Sequence, residues 1–468
     1  MDGFWDSVYI YIYTLDFIIF IPSLLILISY VLLKNNQRKI INNIIFLITS
    51  IVLHIGSVFG IFEIYYSSSF VRNSLKFVYF NPIHNEGVHT FWGFTSSEYL
   101  KQTSPIHAII YEAKNLLFLP FEQNNYSLTS NEKYTINRLI EFKYGINDEN
   151  KLIIILIESF EDWAITEYVM PNVYNFVQQH TNIFYHKRII SQTKGGTSAD
   201  GQMIVNTGLL PIKEGATCFR YPHNIYPALS KLYKKSLGVI PGDKGVWNQG
   251  KMCDAYGITN DIYIPSCNDS TMFSILNKHL LEYDYILALT VASHAPFQAY
   301  AESSDLILSE NMPIHMSNYL KSISYTDIHL SELLSKVDSD STLHNATIVI
   351  TGDHTIFPSE IRKEFSDYCK ENNLDYKVEE NYCPLIIYSP NIKEKTIVDE
   401  VAYQMDIYPT ILHVIGAEDY YWKGFGVNLL DSVARKNRSI SPEDAFELSD
   451  KLIRANYFKE IESQLSNK

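Results

Sequence analysis

The sequence is poor in cysteine, and its cysteines do not form recognisable pairs. None of the five lies in a C-x-x-C motif, which excludes the usual spacing of a zinc ribbon and of a thioredoxin-like redox site. Outside the cytoplasm a disulfide is allowed, and Cys253 with Cys267 is the pair closest in sequence. The cysteines are Cys218, Cys253, Cys267, Cys369 and Cys383.

Positive charge is also scarce. The chain of 468 residues has 38 Lys and Arg against 52 Asp and Glu, a formal net charge of -14. A general nucleic-acid binder normally carries a basic patch or stripe, so the composition argues against that class. A phosphate-bearing ligand would need local help from a metal, from backbone amides or from a few basic side chains.

Two apolar runs, residues 9–33 and 40–62, are long enough to cross a membrane, which takes about 20 residues. No basic segment precedes the first run and no A-x-A site follows it, so we predict a retained anchor rather than a cleaved signal peptide. Lys34, Arg38 and Lys39 lie between the runs, and the positive-inside rule makes this joint cytoplasmic. The chain after about residue 65 is therefore expected to be extracytoplasmic.

From residue 151 onward, apolar runs alternate with amphipathic segments. Such runs are typical of strands buried on both faces of a parallel sheet, and helical periodicity is clear over residues 318–337. The pattern predicts an α/β fold with a mainly parallel sheet sandwiched by helices. The predicted strands lie within residues 151–158, 236–243, 285–297, 346–355 and 383–390.

Polar side chains stand directly after several of these strands. Glu158, His294, Asp353 and His354 should meet at the carboxyl edge of the sheet, where open α/β sheets bind their ligands. Carboxylates with imidazole suit Mn²⁺ or Zn²⁺. Each residue alone could instead cap a helix or form a turn, so their joint occurrence carries the hypothesis.

The stretch "QTKGGTSADG", residues 192–201, offers a hydroxyl nucleophile. Gly195 and Gly196 allow close approach of the backbone to a ligand, and Thr197 or Ser198 would begin a helix whose free amides attract an anion. A metal is one means of activating such a hydroxyl. A plain N-cap in a glycine-containing loop is an equal alternative from the residues alone.

Six motifs occur along the chain in the order "ESFEDW", "GGTSADG", "VWNQ", "TVASHAPF", "TGDH" and "QMDIYPTIL". Their order and spacing resemble the lipoteichoic acid synthase group of membrane phosphoglycerol transferases, in the alkaline phosphatase and sulfatase superfamily. The resemblance covers roughly residues 150–430 and implies an alkaline phosphatase-like fold. Together with the two apolar runs, it predicts four parts: a two-span transmembrane anchor (1–66), shorter than the family's usual one, a juxtamembrane connector (67–148), an extracytoplasmic sulfatase-like catalytic domain (149–432) and a C-terminal helical tail (433–468).

The resemblance also implies roles for individual residues. Thr197 matches a threonine that is both nucleophile and metal ligand, which would make Ser198 dispensable. One divalent metal is implied, commonly Mn²⁺, with Zn²⁺ or Mg²⁺ as alternatives. The other implied metal ligands are Glu158, Asp353 and His354.

Three further matches concern the substrate. His294 matches a histidine that contacts the substrate phosphate, and Trp247 matches a tryptophan of the glycerol-phosphate pocket. The lipoteichoic acid synthases carry an arginine where this chain has Gln249, which replaces a charge-assisted phosphate contact by a neutral one. The stretch around Asp406 resembles a structural signature and is not assigned to the site.

The function implied is transfer of a phosphoglycerol head group from phosphatidylglycerol to a glycan or polymer hydroxyl, through a phospho-threonine. The expected location is the cell membrane, multi-pass, with the catalytic domain outside. A phosphoethanolamine transferase is the nearest alternative, and a non-catalytic envelope binding protein is the alternative from another class. A sulfatase is disfavoured because the C/S-x-P-x-R sequence that yields formylglycine is absent.

Overall fold

A computed structural model describes residues 128–140, 151–213, 215–340, 343–356, 359–378 and 380–466. They belong to one compact unit, Phe121–Lys468. The predicted membrane anchor, and the connector apart from residues 128–140, lie outside the described residues. Within the described ranges, no helix combines the length and the hydropathy that crossing a membrane requires.

An eight-stranded sheet forms the centre of the unit, in the order β4-β3-β5-β1-β6-β7-β2-β8. All five predicted strands are present, and β7 alone is antiparallel to its neighbours β6 and β2. The sheet is therefore mixed, with the other strands running in one direction. The strands are β1 (Lys151–Ile157), β2 (Ile183–Ile190), β3 (Ser236–Pro241), β4 (Asn260–Ile264), β5 (Tyr285–Leu289), β6 (Ala346–Gly352), β7 (Cys383–Tyr388) and β8 (Thr396–Tyr403).

Helices cover the sheet and account for the unbroken apolar runs of its central strands. Every residue of β1 except Lys151 is buried, and so is all of β6. The helices are α1 (Ser130–Asn137), α2 (Pro171–Gln179), α3 (Thr197–Thr207), α4 (Thr217–Arg220), α5 (Gln249–Tyr256), α6 (Asp269–His279), α7 (Ile314–Ser339), α8 (Ser359–Glu371), α9 (Ile407–Val414), α10 (Ser432–Lys436), α11 (Pro442–Arg454) and α12 (Tyr457–Ser466).

The C-terminal helices pack against the sheet-bearing body. In α11, Ser449 Oγ donates a hydrogen bond to the Leu210 carbonyl at 2.5 Å, and the Ile453 carbonyl accepts one from Asn224 at 2.5 Å. Ser441 caps α11 by accepting from the Asp444 amide at 3.0 Å, a cap of the preferred residue type. These contacts fix the C-terminal helices on the sheet-bearing body.

A buried histidine in β2 predicts how stability depends on pH. His186 is fully buried and its Nε2 has no hydrogen-bond partner among the described residues. Burial first, and then the charge of Arg435, lower the pKa of His186 to about 4, while Glu400 and Asp399 oppose the shift. The pKa of this histidine is near 6.5 in the unfolded chain. Between pH 4 and pH 6.5 the unfolded chain therefore binds a proton on His186 that the folded chain does not bind.

Stability from this group is therefore present above pH 6.5 and is lost as the pH falls towards 4. Through this group the wild type should lose about 2 kcal/mol of its free energy of unfolding between pH 7 and pH 5. We expect His186→Leu to abolish this loss, as measured by chemical denaturation at both pH values. An equal loss in the wild type and the variant would show that His186 is not the titrating group.

Candidate active site

Three adjacent strands end at the same edge of the sheet. β1 pairs with β5 through Leu156 and Leu289, and with β6 through Ile157 and Gly352. The next residues are Glu158 after β1 and Asp353 after β6, while His294 lies in the loop after β5. The predicted meeting of strand ends at the carboxyl edge is thus present in the structure.

Glu158, Asp353 and His354 form a cluster that is suited to a metal ion. Their ligand atoms all lie within 4.8 Å of one another, and both carboxylates are buried. His354 Nε2 is 3.2 Å from Glu158 Oε1 and 3.6 Å from Asp353 Oδ2. His354 Nδ1 contacts the Thr355 carbonyl at 2.9 Å, an arrangement that fixes the ring and leaves Nε2 to face an ion.

The electrostatics of the cluster also fit a divalent cation. Burial and the charge of Glu158 raise the pKa of Asp353. Burial, the largest single cause, would raise the pKa of Glu158, but the charge of His354, its hydrogen bond to Glu158 and the charge of His294 together lower that pKa. Two carboxylates share one positively charged neighbour, His354, and a divalent cation would balance their negative charge better. The residues present therefore fit the metal that the superfamily uses.

The loop from residue 192 to residue 196 is held by a carboxylate that sequence reasoning did not single out. Asp200 Oδ2 accepts hydrogen bonds from the Lys194 amide at 2.9 Å and the Gly196 amide at 2.8 Å. A Cβ at Gly196 would lie 2.2 Å from Asp200 Oδ1, so only glycine fits. Lys194 acts here through its backbone, and its Nζ lies 5.0 Å from the Phe446 ring centroid.

The two hydroxyl residues that follow this loop are placed differently. Ser198 Oγ lies 3.2 Å from Glu158 Oε2 and 3.3 Å from His354 Nε2. Thr197 is half-buried with φ 36°, and its side chain makes no hydrogen bond within the described part of the chain. The structure thus brings Glu158, Asp353, His354 and Ser198 together, with Thr197 beside them.

A cavity of about 230 Å³ opens onto the cluster. His294 is an exposed member of its wall, and Trp247 has φ 49° and packs 6.0 Å from the Phe219 ring. Gln249 is buried, and its Oε1 has no hydrogen-bond partner among the described residues. The predicted substrate-binding residues therefore line the same cavity as Glu158 and Asp353.

Two further residues support the cluster from behind and were not identified from the sequence. Thr290 Oγ1 accepts a hydrogen bond from the Glu158 amide at 3.0 Å. Gln404 Nε2 donates to the Asp353 carbonyl at 2.8 Å. Both are polar residues beside an apolar segment, a pattern too common in sequences to distinguish a supporting role.

Asp406 lies outside the cavity wall and holds several segments together. Its carboxylate is buried and pairs with both guanidinium nitrogens of Arg438, at 2.5 and 2.7 Å. It also accepts from the Tyr403 and Val427 amides, each at 2.9 Å. These contacts are structural.

The five cysteines are all free thiols in the described residues. Cys253 is buried, while Cys267 lies in the wall of the cavity. The sequence left a disulfide between these two open, and the structure has none.

A mixed α/β sheet with a carboxylate and imidazole cluster at its carboxyl edge defines an alkaline phosphatase-like fold. The chain belongs to the sulfatase family, whose model matches residues 150–417, more than half of the chain.

The chain is homologous to lipoteichoic acid synthases, which are enzymes of the sulfatase-like superfamily. It is 24% identical over 336 residues to the lipoteichoic acid synthase-like protein YvgJ of Bacillus subtilis, which covers 65% of this chain and 54% of the relative. It is 22% identical over 345 residues to lipoteichoic acid synthase 1 of the same bacterium, covering 66% and 54%. The chain spans about half the length of the curated relatives it matches.

A solved structure confirms the fold. The lipoteichoic acid synthase LtaP from Listeria monocytogenes superimposes with a TM-score of 0.54 and 17% sequence identity. The superposition covers 76% of this chain and 98% of the LtaP chain. The likeness extends beyond the sheet to most of the described unit.

Proposed function

We propose that this chain is a membrane-anchored, metal-dependent transferase that moves a phosphoglycerol head group from phosphatidylglycerol to a glycan or polymer hydroxyl. One observation carries the proposal: Glu158, Asp353 and His354 lie close to one another and to a hydroxyl, at the place where the cavity opens. Kinship with lipoteichoic acid synthases supports the phosphoglycerol group. A cell-membrane location with the catalytic domain outside follows from the apolar runs and the resemblance.

The transfer takes place in two steps. The first forms a bond between phosphorus and the hydroxyl oxygen of Thr197, the nucleophile that the resemblance assigns, and releases diacylglycerol. In the second step the acceptor hydroxyl takes the head group and frees the side chain. Glu158, Asp353 and His354 would hold one divalent ion, Mn²⁺ by resemblance, which lowers the pKa of a bound hydroxyl and offsets phosphoryl charge.

The cavity wall has the groups that a head group needs. His294 would donate to a phosphoryl oxygen, and Trp247 would pack against the carbon skeleton of glycerol. The unpaired Gln249 Oε1 is a buried acceptor and so favours a donor on the substrate, because a buried acceptor without a partner is costly. Glycerol hydroxyls meet this need, and so does the ammonium of ethanolamine, which keeps phosphoethanolamine transfer as the second candidate.

The test supplies the full chain, purified in detergent with Mn²⁺, with fluorescent phosphatidylglycerol or phosphatidylethanolamine and no acceptor. We expect release of fluorescent diacylglycerol and an increase in intact protein mass equal to one phosphoglycerol group; the same protein treated with EDTA is the control. An increase equal to phosphoethanolamine would select the second candidate. Folded protein that releases diacylglycerol from neither lipid would contradict both.

A further inference from the structure

We propose that a second cavity, which lies at β2, β8 and the loop after β1, binds a neutral glycan and holds it as the acceptor of the transfer. This β2 cavity has a volume of about 310 Å³, near the lower end of the range for ligand pockets. Among the described residues it shares no lining residue with the cavity at the metal cluster. Binding of the glycan stands on its own, whereas the acceptor role rests on the proposed function.

The first argument is a bulge in β2 that directs two cations into the β2 cavity. Between its pairings with Leu385 and Cys383, β2 contains one residue more than β7, and its register with β8 shifts at the same place. Successive residues of a regular strand point to opposite faces. At this bulge the adjacent residues Lys187 and Arg188 both line the cavity. Bulges that re-aim side chains in this way are common beside active sites.

The cations of the β2 cavity have hydrogen-bond donors to offer. Arg188 Nη2 donates to the Tyr382 hydroxyl at 3.1 Å, and the guanidinium lies 4.7 Å from the centroid of that ring. These contacts fix the guanidinium and, within the described residues, use one of its five N–H groups. Lys187 and Lys377 make no side-chain hydrogen bond or ion pair in the described ranges, so both ammonium groups remain for a ligand.

Carboxyl groups line the same cavity. Asp162 accepts a hydrogen bond from the Tyr185 hydroxyl. The other three make no side-chain hydrogen bond or ion pair in the part of the chain that the structure describes; they are Asp375, Glu380 and Asp399. Four acidic groups and three cations nearly cancel in charge, so the wall favours neither a polyanion nor a polycation.

A polyhydroxyl ligand matches this wall. A hydroxyl both donates and accepts, so neighbouring hydroxyls of a sugar bind carboxylates and cations in turn. A small zwitterion has one group of each sign and would leave most of the wall without a partner. The rings of Trp163, Tyr185 and Tyr382 add apolar surface, against which the CH face of a sugar packs. The combination indicates a neutral glycan.

The loop after β1 connects the β2 cavity to the metal cluster. Asp162 follows Glu158 by four residues, which span at most about 14 Å. Between them, Glu161 accepts from the Ile356 amide at 2.6 Å, two residues after His354. One short loop therefore carries a proposed metal ligand at one end and part of the cavity wall at the other. A glycan of several rings bound in the cavity can present a hydroxyl to the cluster.

Binding is measured by calorimetry on the full chain, in a non-ionic detergent that has no sugar head group. The neutral probes are maltotetraose and chitotetraose, with sulfated maltotetraose and deacetylated chitotetraose as their anionic and cationic counterparts. We expect at least one neutral probe to bind, and to bind more tightly than its charged counterpart. Lys187→Met and Asp399→Ala should each weaken this binding about 10-fold, because the sugar loses a charged hydrogen-bond partner.

The matched control is Lys278→Met, at an exposed lysine of α6 outside the cavity wall, which should bind the probe as the wild type does. Thermal unfolding checks that the three variants are folded. Three results would overturn the inference: binding of neither neutral probe, tighter binding of the charged counterpart, or equal binding by Lys187→Met, Asp399→Ala and the wild type.

The acceptor role is tested separately, with fluorescent phosphatidylglycerol and the neutral probe that binds. We expect phosphoglycerol to be transferred to the probe, with the KM for the probe raised about 10-fold in Lys187→Met. A wild type that binds the probe through Lys187 but releases diacylglycerol from no lipid would contradict the proposed function and leave glycan binding in place. An active transferase with the same KM in Lys187→Met would refute the acceptor role.

Discussion

Glu158→Gln is expected to lower Mn²⁺ affinity about 100-fold or more and to abolish head-group transfer. Loss of a residue that only supports a ligand typically costs 10- to 100-fold in metal affinity, and Glu158 would be a direct ligand. An amide is nearly the same size as the carboxylate but carries no charge to balance the cation. Metal binding, rather than folding, is therefore what the substitution removes.

Thermal unfolding with and without Mn²⁺ distinguishes these effects. At a concentration 100 times its dissociation constant, a bound ion stabilises the folded state by about 2.7 kcal/mol, and this gain should vanish in Glu158→Gln. Glu167→Gln, at an exposed position nine residues after Glu158 in the chain, removes the same charge and should keep the gain. A Glu158→Gln protein that Mn²⁺ stabilises as strongly as the wild type would show that Glu158 is not a ligand.

Asp406→Ala is expected to destabilise the fold by about 3 to 5 kcal/mol. The substitution leaves the Arg438 guanidinium without its partner and also frees two backbone amides. Breaking this pair from one side is costly because the remaining guanidinium of Arg438, whose side chain is 16% exposed, stays largely desolvated. Gln404, which donates to the Asp353 carbonyl, lies two residues away, so the site should loosen with the fold.

Chemical denaturation measures this cost, and the chain provides a matched control. Glu400 pairs with Arg435 at 3.0 Å but is exposed, so Glu400→Ala should cost much less than Asp406→Ala. Similar losses in Asp406→Ala and Glu400→Ala would show that the Asp406 network does not stabilise the fold. The Mn²⁺ affinity of Asp406→Ala, measured well below the unfolding temperature, would show how far the site depends on the Asp406 network.

The strands that the sequence predicts are those buried on both faces. β1 and β6 are continuous apolar runs, and burial of both faces requires such runs. β2 was missed because His186, Lys187 and Arg188 interrupt it at a β-bulge. β8 is an edge strand with half of its residues exposed, and the reversed direction of β7 leaves no trace in its own sequence.

The candidate site was predictable where strand ends alone determine it. Glu158 and Asp353 follow buried strands directly, so topology brings them together. Which of the two side chains, Thr197 or Ser198, lies nearer to Glu158 and His354 depends on the angle at which α3 begins. Gly196 and the contacts of Asp200 set this angle. The sequence motif does not determine how α3 is rotated about its axis. A rotation by one residue position leaves the motif unchanged but turns a given side chain away from the cluster.

The hydrogen bond from the Ser159 amide to Asp353 Oδ1, at 2.9 Å, joins residues 194 positions apart. Long-range pairings of this kind form late, because a large loop must close first. A chain that is synthesised from its N-terminus displays Glu158 long before His354 has been made. An ion at the proposed metal site would therefore be captured only when folding is nearly complete, and its capture would mark the moment at which the newly made protein has acquired its native topology.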